Sequence, residues 1–514
     1  MMSFVHKFFP SCSCCQHAPL CPGYPCACRA WPVSSPRLAC AWPVPGRGSG
    51  MPPLGSGSLE QVTGGPVEPS LSRLPGGFST RAVRGATHLP EVVEQPVSAP
   101  IWLSSTWAVG HSEELGELLT DRREGYVYGR YDNPTATTLH EVVASLHDAE
   151  AAWSLASGTA ALHATLDVLR GSGRVLATSM LYGGTWALLR RLERDAGWRV
   201  DHAPLATVAD LDAVLDAEHT VVHVETVANP STVVTDLAGI AARCRERGVE
   251  LVVDNTFASP YLCRPIGLGA TAVVESATKF LGGHGDVVAG VVAGDRTLIE
   301  RVRAHTFELG ASLGAFDAWL VLRGVQTLAL RVRAAAANAE ACAQALATAS
   351  TAHGDVEVVR YPGLADHPQH DLATALFEGR GYGAQLSFDL PTRAAATAFA
   401  DACEVFARAS SLGGTHSLVL HPASTSHRQL DATALAAAGL NPGTVRLSVG
   451  IEDAADLLAD LSRGLEAARA VTATGDGDDR TGEDDDRTGE DDDRTGEDDD
   501  RTGRDPVATG GETT

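Results

Sequence analysis

The sequence predicts an α/β protein, with a large domain on a mostly parallel sheet and a smaller C-terminal α/β domain. Three observations predict it. Short apolar runs at 175–178, 221–225, 251–254 and 272–274 alternate with helix-period segments at 185–194, 209–217 and 237–247. Strands separated by helices in this way are the pattern of crossover connections in a parallel sheet. Second, 44% of the 514 residues are hydrophobic and 20% charged, enough to bury a large core. Third, an Ala- and Leu-rich stretch at 316–347 reads as one long helix bridging to a second lobe. That lobe has its own strands at 384–388 and 444–449 and helices at 394–407 and 454–468.

Taken in chain order, the first 77 residues read as a Cys/Pro/Gly-rich leader. Seven of the 11 cysteines (Cys12, Cys14, Cys15, Cys21, Cys26, Cys28 and Cys40) lie there. Their irregular spacings supply no pair of zinc knuckles, and no continuous apolar stretch resembles a secretory signal. Met51 opens a Gly/Ser/Pro-rich linker and is an expected alternative start of translation. Residues 78–335 form the expected large domain with an N-terminal arm, and 336–470 the small domain. The four cysteines of this body (Cys244, Cys263, Cys342 and Cys403) are scattered, which points to a reduced, cytoplasmic protein without a disulfide framework.

The tail, 471–514, holds 17 acidic and 5 basic residues, a net −12 that is half of the formal charge of −24. Within it Arg-Thr-Gly-Glu-Asp-Asp-Asp occurs three times, from Arg480, Arg487 and Arg494. No position of this heptad is apolar, so it is no coiled coil and is expected to be a disordered, solvated segment. The acidic balance argues against nucleic acid and against an anionic membrane surface as partners. No apolar stretch is long enough for a transmembrane helix.

Chemistry in an open α/β sheet is expected beyond the carboxyl ends of the strands. One such turn follows the run at 272–274 and carries Lys279. Only Lys7 and Lys279 are lysine among 40 basic residues; the other 38 are arginine. Arginine stays protonated and cannot form an imine, whereas a desolvated lysine amine becomes a nucleophile. Asp254 ends the apolar run at 251–254, where a carboxylate can hold a pyridinium N–H. Ser157-Gly158-Thr159 opens an Ala-rich helical segment whose first N–H groups can hold a phosphate. An anion site, a strand-end acid and a lysine together make a pyridoxal phosphate constellation.

The body, from about Thr80 to Asp453, resembles the Cys/Met-metabolism (trans-sulfuration) family of pyridoxal phosphate enzymes. The most specific block is Ser276-Ala-Thr-Lys-Phe-Leu-Gly-Gly-His-Gly-Asp286. Tyr128-Gly-Arg-Tyr-Asp-Asn-Pro-Thr135, Leu181-Tyr-Gly-Gly-Thr185, Glu225-Thr-Val-Ala-Asn-Pro230 and Val253-Asp-Asn-Thr256 accompany it. So do Ser411-Leu-Gly-Gly414, His421-Pro-Ala-Ser-Thr-Ser-His427 and Val445-Arg-Leu-Ser-Val-Gly450.

The resemblance implies a fold-type I pyridoxal phosphate-dependent transferase architecture with pyridoxal 5'-phosphate as cofactor. Lys279 would attach the cofactor and then move protons, and Asp254 would pair with the pyridine nitrogen. Tyr182 would stack on the ring and serve as an acid/base. Gly158 and Thr159 would bind the phosphate through backbone N–H groups, with the hydroxyls of Ser276 and Thr278. Tyr128 and Arg130 would reach the phosphate of a neighbouring subunit in a homo-oligomer, a dimer of dimers. Asn229 would lie near the ring and substrate, Arg446 would clamp the substrate carboxylate, and Ser411 would join them.

Substrates implied are sulfur-containing or activated homoserine-type amino acids. The reaction is expected to be elimination by a carbon–sulfur lyase or a γ-replacement, with an O-acyl-homoserine sulfhydrylase or a cystathionine γ-synthase as the alternative. A non-catalytic pyridoxal phosphate-binding protein is the alternative of a different class. Ser410 stands where cystathionine-type members often have Glu, and Gly184 where methionine γ-lyases typically have Cys. His284, His421 and His427 lack the spacing of metal ligands and are assigned structural roles.

Overall fold

The computed structural model describes residues 77–85, 96–120, 122–425, 435 and 439–474. The cysteine-rich leader, the acidic repeats and His427 lie outside the described residues. Among those described, β1 (Ala151–Leu155), β2 (Arg174–Thr178), β3 (Val200–Ala203), β4 (His219–Glu225), β5 (Glu250–Asp254), β6 (Ala272–Glu275) and β7 (Gly290–Gly294) form one sheet. Its order is β1-β7-β6-β5-β4-β2-β3. β3, β2, β4, β5 and β6 run parallel, and β7 is antiparallel to both of its neighbours.

Side-chain alternation along these strands builds two cores. Leu176, Val222, Val224, Leu251 and Val253 pack on one face. Val175, Ala177, Val221, Val252 and Val274 pack on the other. Both faces are covered, which is why the strands read as unbroken apolar runs rather than as alternating ones.

A second sheet comprises β8 (Val358–Arg360), β9 (Gln385–Asp389), β10 (Ala407–Arg408), β11 (Leu418–Leu420) and β12 (Thr444–Ser448), in the order β10-β11-β12-β9-β8. Its core holds Leu386, Phe388, Val445 and Leu447 against the helices Arg393–Ala402 and Ala454–Thr474.

The single helix expected at 316–347 is two, Ala315–Val325 and Leu328–His353. The break falls at Gln326–Thr327, where the Thr327 hydroxyl bonds the Gly324 carbonyl at 3.2 Å and competes with the helical ladder. The helix expected at 394–407 stops at Ala402, and Ala407 belongs to β10. Leu328–His353 links the two cores: Ala329, Val332 and Ala335 pack in the first, and Ala339, Cys342 and Leu346 in the second. The body cysteines are free and buried, and burial pushes their thiols up to about 12. No described helix is long and apolar enough to cross a membrane.

One buried carboxylate shows how the second core is held. Asp460 is fully buried and accepts the backbone N–H groups of Glu404, Val405 and Phe406 at 2.9, 2.8 and 2.9 Å. These donors belong to the turn that starts β10. Asp460→Ala leaves them unsatisfied and is expected to cost about 2–4 kcal/mol. The check is the urea midpoint of the variant, compared at unchanged m-value.

Candidate active site

The parallel register brings three strand ends side by side. Glu225 on β4 lies opposite Asp254 on β5, and Asp254 opposite Val274 on β6. Asp254 accepts the Thr256 N–H at 2.9 Å, and the Thr256 hydroxyl takes the Ser276 N–H at 2.9 Å. Burial raises the Asp254 carboxyl to about 6, and nearby Glu275 pushes the same way against the Thr256 hydrogen bonds. Glu225 accepts the N–H groups of Tyr182 at 2.7 Å and Asn229 at 3.1 Å. Burial, then the Asp254 charge, pushes Glu225 well above the usual carboxylate range.

Glu225 was not given a role on sequence grounds. It carries the same signal that singles out Asp254, an acid closing an apolar run.

After β6 the chain turns through Ser276–Lys279, closed by the Lys279 N–H to the Ser276 carbonyl at 3.0 Å. The Lys279 ammonium donates to the Ser411 hydroxyl at 3.0 Å. Burial, and then the charge of Arg446, lowers its pKa. Beneath this turn the buried Arg331 donates to the carbonyls of Phe280 and Gly324 at 2.8 and 2.7 Å. Gly283 has φ of +72°, and a Cβ there would fall 1.9 Å from Arg331 Nη1. A residue with a side chain would therefore displace the guanidinium. Arg331 is a second residue that sequence reasoning missed; its burial depends on tertiary contacts that no local pattern announces.

Arg446 comes from the middle of β12. It donates to Asn229 Oδ1 at 3.2 Å and to the Ser411 carbonyl at 2.8 Å. Among the described residues no carboxylate pairs with it and its buried Nε has no partner, and burial lowers it to about 10. Ser157 caps the helix Gly158–Arg170 by accepting the Ala160 N–H at 3.1 Å. Gly158 sits so close to Ser276 that a Cβ would meet its Cβ at 2.8 Å. The Thr278 hydroxyl takes the Ala289 N–H at 3.0 Å. Tyr182 precedes the helix Gly183–Ala196, is 47% exposed, and lies over Gly184, where a Cβ would meet the ring at 2.3 Å.

These groups surround one cavity of about 850 Å³. Lys279, Asp254, Tyr182, Gly158, Thr159, Ser276 and Thr278 line it, as do Asn229, Ser411 and Arg446. Tyr128 and Arg130 do not: Tyr128 is 43% exposed, and Arg130 stacks on Tyr131 at 4.7 Å and donates to the Phe307 carbonyl. His421 lines the wall and bonds Ser424 Oγ at 2.8 Å and the Pro442 carbonyl at 2.6 Å, while His284 bonds the Gly282 carbonyl at 2.8 Å.

Such a cavity suits a ligand with an aldehyde for the lysine, a basic ring nitrogen for the strand-end acid, and an anion for the helix start. The model of the Cys/Met metabolism PLP-dependent enzymes matches residues 79–466. The chain belongs to that family. It is 38% identical over 401 residues to L-methionine gamma-lyase of Pseudomonas putida, covering 77% of this chain and 99% of the relative. It is 36% identical over 392 residues to cystathionine beta-lyase of Lactococcus lactis, covering 76% and 97%. A crystal structure of cystathionine gamma synthase from Xanthomonas oryzae pv. oryzae superposes with a TM-score of 0.71 at 37% identity, over 77% of this chain and all of that one.

Pyridoxal phosphate is thus the cofactor, and the residues present fit it. Gly158 and Thr159 at the helix start line the cavity, where a side chain at 158 would strike Ser276; among the described residues Asp254 has no cation bonded to it, and Lys279 offers a desolvated amine. The fold-type I architecture expected from the resemblance is the one observed, a seven-stranded mostly parallel sheet with a smaller second sheet.

The raised Asp254 value sets a pH test on the cofactor-free protein. Its folded value, about 6, lies above the ordinary 3.8, so its contribution to stability is whole below about 4 and is lost as pH rises through 6. Asp254→Asn removes that penalty. The cofactor-free variant is expected to exceed wild type by about 1–2 kcal/mol at pH 8, discounted for water in the cavity, and to match it at pH 4. Urea unfolding at the two pH values is the measurement.

Proposed function

We propose that the protein catalyses elimination, as a carbon–sulfur lyase on methionine or cystathionine, or γ-replacement on these or on an activated homoserine. One observation carries the reading: a desolvated lysine amine and an arginine with no carboxylate partner face one cavity, bridged by Ser411. Arg446 holds the substrate carboxylate through its planar guanidinium, with its buried Nε available as a further donor. Asn229, fixed by Arg446 and by Glu225 through its N–H, orients the same end of the substrate.

Lys279 Nζ, its proton affinity reduced by burial, takes the proton from the substrate Cα, and Lys279 or Tyr182 takes the second proton, from Cβ, whose loss expels the leaving group at Cγ. Pyridoxal phosphate, when bound, supplies the electron sink that makes the Cα proton removable. Asp254 holds the ring nitrogen. Gly158, Thr159, Ser276 and Thr278 take the phosphate, and Tyr182 covers the ring and exchanges protons through its hydroxyl. Tyr128 and Arg130, turned away from their own cavity, serve the phosphate of a neighbouring copy, which makes the active unit a dimer within a tetramer. The four buried thiols are in keeping with a cytoplasmic protein.

Replacement at Cγ, as in a cystathionine γ-synthase or an O-acyl-homoserine sulfhydrylase, is the second reading. The hydroxyl-rich wall of Ser410, Ser424 and Thr425 favours it, because a polar leaving group would be solvated there.

Two experiments follow. Lys279→Ala is expected to lose the visible absorbance of the lysine-bound cofactor and at least about a thousandfold in turnover. A wild type that shows no such absorbance after addition of pyridoxal phosphate would sink the reading. In a substrate panel, 2-oxobutyrate, ammonia and thiol formed from methionine support the lyase, and product only with added thiol supports replacement. Arg446→Ala is expected to raise KM by roughly one to two orders of magnitude.

A further inference from the structure

The cavity carries an outer pair of charged groups that the chemistry above does not use. Arg408 ends β10, and Asp401 is the penultimate residue of the helix Arg393–Ala402. Both line the same cavity as Lys279 and Arg446. Arg408 Nη1 donates to the carbonyls of Ala400, Asp401 and Cys403 at 3.1, 3.0 and 3.3 Å, the open carbonyl end of that helix. One edge of the guanidinium is thereby fixed. Its Nε lies 3.8 Å from Asp401 Oδ1, beyond hydrogen-bond distance, with the two side chains 55% and 67% exposed. A loose, exposed ion pair contributes little to stability. Both heads keep unused capacity for a ligand.

Their position relative to the reacting centre is bounded by the chain. Arg408 is three residues from Ser411, at most about 10 Å of extended backbone, and the Ser411 hydroxyl takes the Lys279 proton. Ser410, Ser424 and Thr425 line the same wall with hydroxyls. The cavity therefore holds two guanidiniums. Arg446 is deep and buried without an acid; Arg408 is outer, anchored on one edge and accompanied by an acid.

We propose that Arg408 and Asp401 form an outer subsite for the second amino-acid head of a thioether substrate, its carboxylate on Arg408 and its ammonium on Asp401. This rests on the reading above in which Arg446 takes the first head. A methylthio end has no polar atom to offer such a pair and leaves both charges to water. A zwitterion of cystathionine type matches both signs at no change in net charge.

The test is calorimetric binding of L-cystathionine and L-methionine to the Lys279→Ala protein loaded with pyridoxal phosphate, in which proton transfer is blocked. Cystathionine is expected to bind at least about tenfold more tightly than methionine. Arg408→Gln and Asp401→Asn, introduced separately, are each expected to weaken cystathionine about tenfold and to leave methionine within about twofold. Equal affinities for the two ligands, or losses shared equally by both, overturn the outer subsite. O-Succinylhomoserine separates a plain anion from a zwitterion. If Arg408→Gln weakens it, Asp401→Asn strengthens it and cystathionine ignores Asp401→Asn, the zwitterion assignment falls. Failure of the underlying reading shows elsewhere: Arg446→Ala would then leave both affinities unchanged. Thermal melts of each variant confirm that the fold is kept.

Discussion

The site depends on keeping four charged or chargeable groups out of water without letting them neutralise one another. Lys279 rests on a serine hydroxyl and Arg446 on an amide oxygen and a carbonyl. Asp254 rests on a threonine N–H, and Glu225 on two backbone N–H groups. Each is satisfied by neutral dipoles, so opposite charges share a cavity without collapsing into ion pairs. Removing ionisable groups from water costs several kcal/mol each unless they are compensated. On the proposed reading, a cofactor and a substrate bring the missing countercharges. The raised values of Asp254 and Glu225 and the lowered ones of Lys279 and Arg446 express the same constraint.

A frame able to hold such groups apart must be stiff, and the two cores supply that. The strand ends of β4, β5 and β6 are fixed by parallel ladders buried on both faces. The turn after β6 has no ladder of its own, and Arg331 takes that place with hydrogen bonds to two of its carbonyls and to Gly324. A guanidinium gripping carbonyls, with no acid beside it, is itself lowered to about 10 by burial. The second sheet enters through β12 and Ser411. Because Arg446 reaches Asn229 across the cavity, movement of one sheet against the other would separate the Arg446 guanidinium from the Lys279 amine.

Much of this was legible in the sequence because it rests on local chemistry. A lone lysine in an arginine-rich body, an acid closing an apolar run and a glycine at a helix start each carry their meaning within a few residues. β7, Gly290–Gly294, was not picked out, since two glycines bound its short apolar run and its antiparallel place is decided by neighbours distant in sequence. β3, with Asp201 and His202 in four residues, is an edge strand whose polarity hides it. The helix break at Gln326–Thr327 escaped because Ala and Leu favour helix on both sides, whereas Thr327 is held by Gly324 and Arg331. Tyr128 and Arg130 show the opposite limit. Their motif is plain in the sequence, but the place it implies for them is the phosphate of a neighbouring subunit, and within one chain they do not line the cavity.

The division of labour between the two sheets bears on why family membership leaves the reaction open. The groups proposed to bind the cofactor and move protons come almost wholly from the large sheet: Asp254, Lys279, Tyr182 and the Gly158 turn. The wall that meets the substrate side chain comes from the second sheet and its connections, through Arg408, Ser410, Ser424 and Thr425. On the proposed reading, whether a thiol leaves, or an incoming thiol finds a seat, is decided by what that wall solvates beyond Cγ. In this chain that wall is mixed, with a hydroxyl at 410 and a guanidinium at 408 beside the apolar side chains of Leu412, Val419 and Leu420. On that reading, selectivity turns on the far end of the substrate rather than on the bond being broken.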